Sequence, residues 1–102
     1  MKIVAVTACP TGIAHTYMAQ EALEKKSRIK GHQCHVETQG SIGIESELSQ
    51  IEIDEADVVI MAVEMVVEGM ERFDNKIIYE ADIAECITNT EEVIDKAIAL
   101  VE

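Results

Sequence analysis

The stretch Lys2-Ile3-Val4-Ala5-Val6-Thr7-Ala8-Cys9-Pro10-Thr11-Gly12-Ile13-Ala14-His15-Thr16 decides the reading of this chain. Its first half, Lys2 to Ala8, is a short β-branched run of the kind that forms a strand covered on both faces. Its second half opens a helix that runs from Ile13 to Lys30. Cys9 stands between them, over the turn. Pro10 removes one N–H and sets the backbone, while Gly12 permits close approach of the main chain. Strand, turn and helix together aim the unpaired amides of a helix N-terminus at one point, where a phosphate can be held and a thiolate stabilised. Thr11 and Thr16 add hydroxyl donors, and His15 can add a positive charge or shuttle a proton. Cys9 is the candidate nucleophile, and Pro10, Thr11, Gly12, Ile13, Ala14, His15 and Thr16 form the candidate anion loop.

Outward from this unit, the first helix carries Ala14, Met18 and Ala22 at i, i+4 steps, with Ala19 and Leu23 widening the expected buried stripe. Glu21–Lys25 and Glu24–Arg28 are i, i+4 pairs in the favourable order. Lys25, Lys26, Arg28 and Lys30 gather where cations suit the helix dipole, and Gly31 follows as a C′ residue. Gln33 to Thr38 reads as a second strand, Gln39 to Gly43 as a loop, and Glu45 to Glu55 as a short helix. The most apolar strand spans Asp57 to Val63. A long connection, Glu64 to Asn75, contains a helical turn near Arg72. A fourth strand, Lys76 to Glu80, precedes a closing helix from Asn89 to Val101. That helix is offered two capping boxes, Thr88 with Glu91 and Asn89 with Glu92, and buries Val93, Ile94, Ala97, Ile98 and Val101.

Apolar strands alternating with helices imply an α/β, Rossmann-like domain: an open four-stranded parallel sheet, order 2-1-3-4, with helices on both faces. Ligands of such sheets bind at the carboxyl ends of the strands, the edge to which both Cys9 and the Gln39–Gly43 loop belong.

Composition narrows the function. The 102 residues suit one domain, 1–102, and 48 % hydrophobic content with only 3 % aromatics implies an aliphatic core. Twenty acidic against eight basic residues, a net charge of −12, disfavour nucleic acid. No signal peptide is visible, and no apolar run approaches the roughly 20 residues of a membrane helix. Three cysteines without a CxxC fit reduced thiols in the cytoplasm. Cys34 and Cys86 read as apolar filler. The pattern calls for no metal and no cofactor.

Cysteine-dependent phosphatases place Arg six residues after the nucleophile, where it clamps the phosphoryl oxygens. Here that place is held by His15, followed by Thr16. Without the Arg, hydrolysis of a phosphocysteine is slow, as a carrier requires. The residues therefore favour a relay, with a low-molecular-weight phosphatase-like enzyme as the alternative. A nucleotide-binding module lacks its glycine fingerprints here, and a redox role lacks a nearby resolving cysteine.

Val4 to Thr16 closely resembles the start of the fructose-type EIIB domains of the bacterial phosphoenolpyruvate-dependent sugar phosphotransferase system. The resemblance continues in Met18-Ala19, Glu21-Ala22-Leu23, Val36 to Gly43, Ala56 to Ile60 and Glu71-Arg72-Phe73. Glu64 departs from it, standing where the family pattern has Asp. The resemblance implies that a phosphohistidine on an EIIA partner phosphorylates Cys9, and that phospho-Cys9 passes the group to a sugar held by the membrane permease EIIC. Such domains occur fused to their partners or alone; with no linker at either end, this chain reads as a stand-alone cytoplasmic subunit, peripheral to the inner face of the membrane through EIIC. The resemblance also sets Gln39, Gly40 and Ser41 at the edge of the same site.

Overall fold

The computed structural model describes residues 1–10 and 13–102, and, at Ile13, the backbone alone. Its elements are β1 (Lys2–Ala8), α1 (Ile13–Ile29), β2 (Gln33–Gly40), β3 (Gly43–Glu45), α2 (Gln50–Glu55), β4 (Val58–Val63), a 3-10 turn at Met70–Phe73, β5 (Ile78–Glu80), α3 (Ile83–Thr88) and α4 (Thr90–Ala99). They form one five-stranded sheet in the order β3-β2-β1-β4-β5. The expected four-stranded all-parallel sheet is thereby corrected. Strands β2, β1, β4 and β5 are parallel neighbours, but β3 adds an antiparallel edge to β2. The reversal occurs at Gly40 and Gly43, which pair across the hairpin, with Gly43 at φ 101°. That backbone is left-handed and suits glycine.

β1 alternates between two aliphatic layers. Ile3 and Ala5 join Ala19 and Leu23 of α1, Ile83 and Cys86 of α3, and Val93, Ile94 and Ala97 of α4. Val4, Val6 and Ala8 join Leu48, Ile53, Met61, Val67 and Phe73 on the other face. Both faces of β1 are thus dry, which is why the strand reads as a continuous apolar run.

The buried face of α1 is rotated from the expected one. Thr16, Ala19, Leu23 and Ser27 are buried, whereas Ala14 is exposed and Met18 is 50 % exposed. Small polar residues fit closely against the sheet, and hydropathy does not reveal them. Glu24 accepts the N–H of Val36, and the Gln20 amide donates to the Val36 carbonyl at 3.0 Å. These side chains satisfy the part of β2 that β3 leaves unpaired. Gly31, at φ 85°, closes α1, and the His32 N–H reaches the Ser27 carbonyl at 2.8 Å.

α2 starts later than the expected Glu45, because Ser49 caps it. Its hydroxyl accepts the Glu52 N–H at 3.1 Å, and the Glu52 carboxylate reaches back, completing a capping box. Neither box expected at the closing helix forms. Asn89 makes no side-chain cap, and the Thr88 and Thr90 hydroxyls donate back to Ala84 and Cys86 carbonyls at 2.9 and 2.6 Å. The preceding turn is already helical there, as α3, and it offers those carbonyls first. Of the expected stripe Val93, Ile94, Ala97 and Ile98 are buried, while Val101 is half-buried, beyond the end of α4 at Ala99.

Candidate functional site

β1 is the strand at which the sheet order reverses: one crossover leads to β2 through α1, and the next returns across the opposite face to β4. The crevice beyond such a strand is where open α/β sheets bind ligands. Cys9 is the first residue beyond it, 6 % exposed, on the layer of α1 and α3. The Thr7 hydroxyl donates to the Thr16 carbonyl at 3.2 Å, fastening the strand to the first turn of α1. Of the candidate anion loop, Pro10, Ala14 and His15 are exposed and Thr16 is buried. Thr11, Gly12 and the side chain of Ile13 lie outside the described residues.

Two neighbouring strand ends complete the surroundings. The Glu64 N–H donates to the Ala8 carbonyl at 2.9 Å, continuing the ladder past β4. The Cys9 thiol donates to Glu64 Oε2 at 3.7 Å. Gly40 passes close on the β2 side: a Cβ added there would lie 3.7 Å from the Cys9 carbonyl oxygen. Ser41 is exposed in the hairpin turn. Gln39 is buried, and its amide points into a polar knot on the other layer. A groove of about 460 Å³ opens beside Glu64, lined by the polar His15, Glu64 and Thr88 and by the apolar Met18, Ile83, Ala84 and Ile87. Among the described residues no cluster of His, Cys, Asp or Glu is arranged to hold a metal ion.

The knot is the part of this edge that sequence reasoning missed. Glu37 is fully buried within β2 and receives Arg72 in a two-pronged pair, at 2.8 and 2.9 Å. The remaining Arg72 N–H groups reach the carbonyls of Gly69, Leu48 and Glu68 at 2.8, 3.0 and 3.3 Å. All five guanidinium donors are therefore used inside the protein. The Gln39 amide adds 2.7 Å and the Leu48 N–H 2.9 Å to the same carboxylate. Burial by itself would raise the Glu37 carboxyl, but Arg72, Gln39 and Leu48 outweigh it and hold it below the usual carboxylate range. The guanidinium stacks over Phe73, 5.1 Å from the ring centre. One signal could have found this pair: an acidic residue in a strand dry on both faces needs a cation. Arg72 is consequently occupied, so the phosphoryl-clamping Arg absent from the loop is not replaced by it.

The three thiols differ in surroundings. Burial pushes Cys34 and Cys86 up to about 12, so both stay protonated at neutral pH. Both pack within the core layer under α1 and α4, as apolar filler would.

A sequence model of the family described as "PTS system, Lactose/Cellobiose specific IIB subunit" matches residues 4–96. The chain is 45 % identical over 95 residues to "PTS system fructose-like EIIB component 2" of Escherichia coli K12, covering 93 % of this chain and 90 % of that one. It is 47 % identical over 96 residues to the "PTS system fructose-specific EIIABC component" of Bacillus subtilis, covering 94 % of this chain and 15 % of that longer one. Its fold is similar to a crystal structure of a domain from the fructose-specific IIABC component of Borrelia burgdorferi, with a TM-score of 0.88, 47 % identity, and coverage of 94 % and 91 %. These names differ in the sugar and agree on the IIB subunit.

Proposed function

This chain belongs to the IIB subunits of the sugar phosphotransferase system, in their fructose-like branch, and from that premise we propose that Cys9 is the residue that carries the phosphoryl group. The chain is a phosphotransferase subunit. The supporting observation is the position of Cys9: it alone of the three thiols stands at the sheet's switch point, with its thiol on Glu64, a residue that lines an open groove. In the first step sulfur attacks the phosphorus of a phosphohistidine on EIIA. The N–P bond breaks, an S–P bond forms, and the thiol proton ends on the departing imidazole. In the second step a hydroxyl oxygen of a fructose-like sugar, held by EIIC, attacks the same phosphorus. The S–P bond breaks, an O–P bond forms, and the hydroxyl proton returns to sulfur. Pro10 to Thr16 hold the phosphoryl oxygens, with His15 the exposed polar group among the described residues of that loop.

The partners follow from relatives in which A, B and C components share one chain. No described helix is long and apolar enough to cross a membrane, and we place the chain at the inner face of the membrane through EIIC. The phosphatase alternative has no support in the names of the relatives, and Arg72 is engaged elsewhere. Incubation with phosphorylated EIIA, followed by intact-mass measurement, tests the proposal. The native chain gains one phosphoryl group and Cys9→Ser gains none; a label that persists on Cys9→Ser overturns it.

A further inference from the structure

We propose that Glu64 carries the proton of the Cys9 site, taking it from sulfur as the S–P bond forms and returning it as that bond breaks. The inference rests on Cys9 being the phosphoryl carrier. Each half of the relay moves one proton: the thiol must lose it when sulfur attacks phosphorus, and sulfur must regain it when the sugar oxygen displaces it. Glu64 Oε2 already accepts the Cys9 S–H, at 3.7 Å. The residue is exposed, so a proton taken there passes on to the departing imidazole or to solvent, and the proton it later gives to sulfur comes from the attacking sugar hydroxyl or from solvent.

The backbone that carries Glu64 is fastened at the residue itself and downstream of it. Its own N–H is bound to the Ala8 carbonyl at 2.9 Å. Downstream, Glu68 is fastened by the Gln39 side chain, which receives its N–H at 2.8 Å and donates to its carbonyl at 3.0 Å. The proton transfers as sulfur commits to phosphorus, because forming the S–P bond is what drives it off the thiol. Among the described residues, the other titratable groups facing Glu64 are Cys9 just beyond β1 and His15 on α1; the α3 wall of the groove contributes only Ile83, Ala84, Ile87 and Thr88. Among the described residues His15 is thus the competing base at the groove.

Single-turnover transfer from phosphorylated EIIA, followed across pH, tests the assignment with native chain, Glu64→Gln and Glu64→Asp. Glu64→Gln keeps the shape and loses the base. It should reach the same final label on Cys9 about 100-fold more slowly, and lose the decline in rate at acid pH. Glu64→Asp should stay within about tenfold of native and keep that decline. Native rates in Glu64→Gln overturn the proposal, as does equal slowing of both variants with the native pH profile kept. If the native chain takes no label, the phosphocysteine reading falls and this proposal with it; if native is labelled and Glu64→Gln matches it, only Glu64 is dismissed. Urea unfolding of both variants separates slow chemistry from misfolding.

Discussion

Two polar constellations sit at the same end of this sheet, and they are built on opposite terms. On one layer, Glu37 and Arg72 spend every charge-bearing donor within the protein, at 2.8 to 3.3 Å, and Glu37 has no exposed surface. On the other, Cys9 and Glu64 meet at 3.7 Å beside an open groove, and Glu64 faces solvent. A buried ion pair is tolerated only when its hydrogen bonds are complete, because the desolvation it suffers must be offset. A transfer site needs the reverse: a nucleophile in a dry setting with one side left for the incoming group. The knot also serves the site, since it fastens the segment that follows Glu64.

The contrast is broken most forcefully at Arg72. Arg72→Ala strands a buried carboxylate and should cost about 3–5 kcal/mol in urea unfolding. If it costs under 1 kcal/mol, the knot is not what holds this edge. Acid should dissolve the knot by the same route. Glu37 has its folded pKa below the ordinary value, so its contribution is complete above the unfolded pKa of about 4.3 and is lost as pH falls through the lower folded value. The urea midpoint of the native chain should therefore drop below about pH 4, and that drop should be smaller in Arg72→Ala. Ser49 probes the flank of the knot, because it starts α2 immediately after Leu48, whose N–H and carbonyl both belong to it. Ser49→Ala should cost about 1 kcal/mol, read as a lowered thermal midpoint. The smallest effect expected is none at all: Cys34 and Cys86 should take no iodoacetamide at neutral pH until the chain is unfolded, as peptide mapping would show.

What sequence reasoning recovered follows strong local signals. β1 was legible because both of its faces are dry, and Gly31 because only a left-handed cap ends the helix there. The helical turn near Arg72 and the α4 stripe were legible for the same reason. The misses share a cause. Thr16 and Ser27 look like surface residues, yet the close approach of α1 to the sheet buries them and leaves Met18 half exposed. The pairing of β3 depends on Gly40 meeting Gly43 across a turn, not on any apolar run. The capping boxes at Thr88 and Asn89 were sound local patterns that lost to carbonyls supplied by a helix with no clear periodicity. At the site, Cys9, His15 and Thr16 are adjacent in the chain and could be read together. Glu64 lies 55 residues from Cys9 and joins it only through a neighbouring strand.

By itself the sequence determined the local unit: a dry strand, a thiol immediately after it, and the helix that follows. Those features depend on backbone preferences and on neighbours within a few residues, so they need no fold to be read. The tertiary structure decided which charges are saturated and which remain in play. It brought Arg72 to Glu37 from 35 positions away and Glu64 to Cys9 from 55, closing one pair in the interior and leaving the other at a groove. Proximity between distant segments is set by strand order and register, which no local preference encodes.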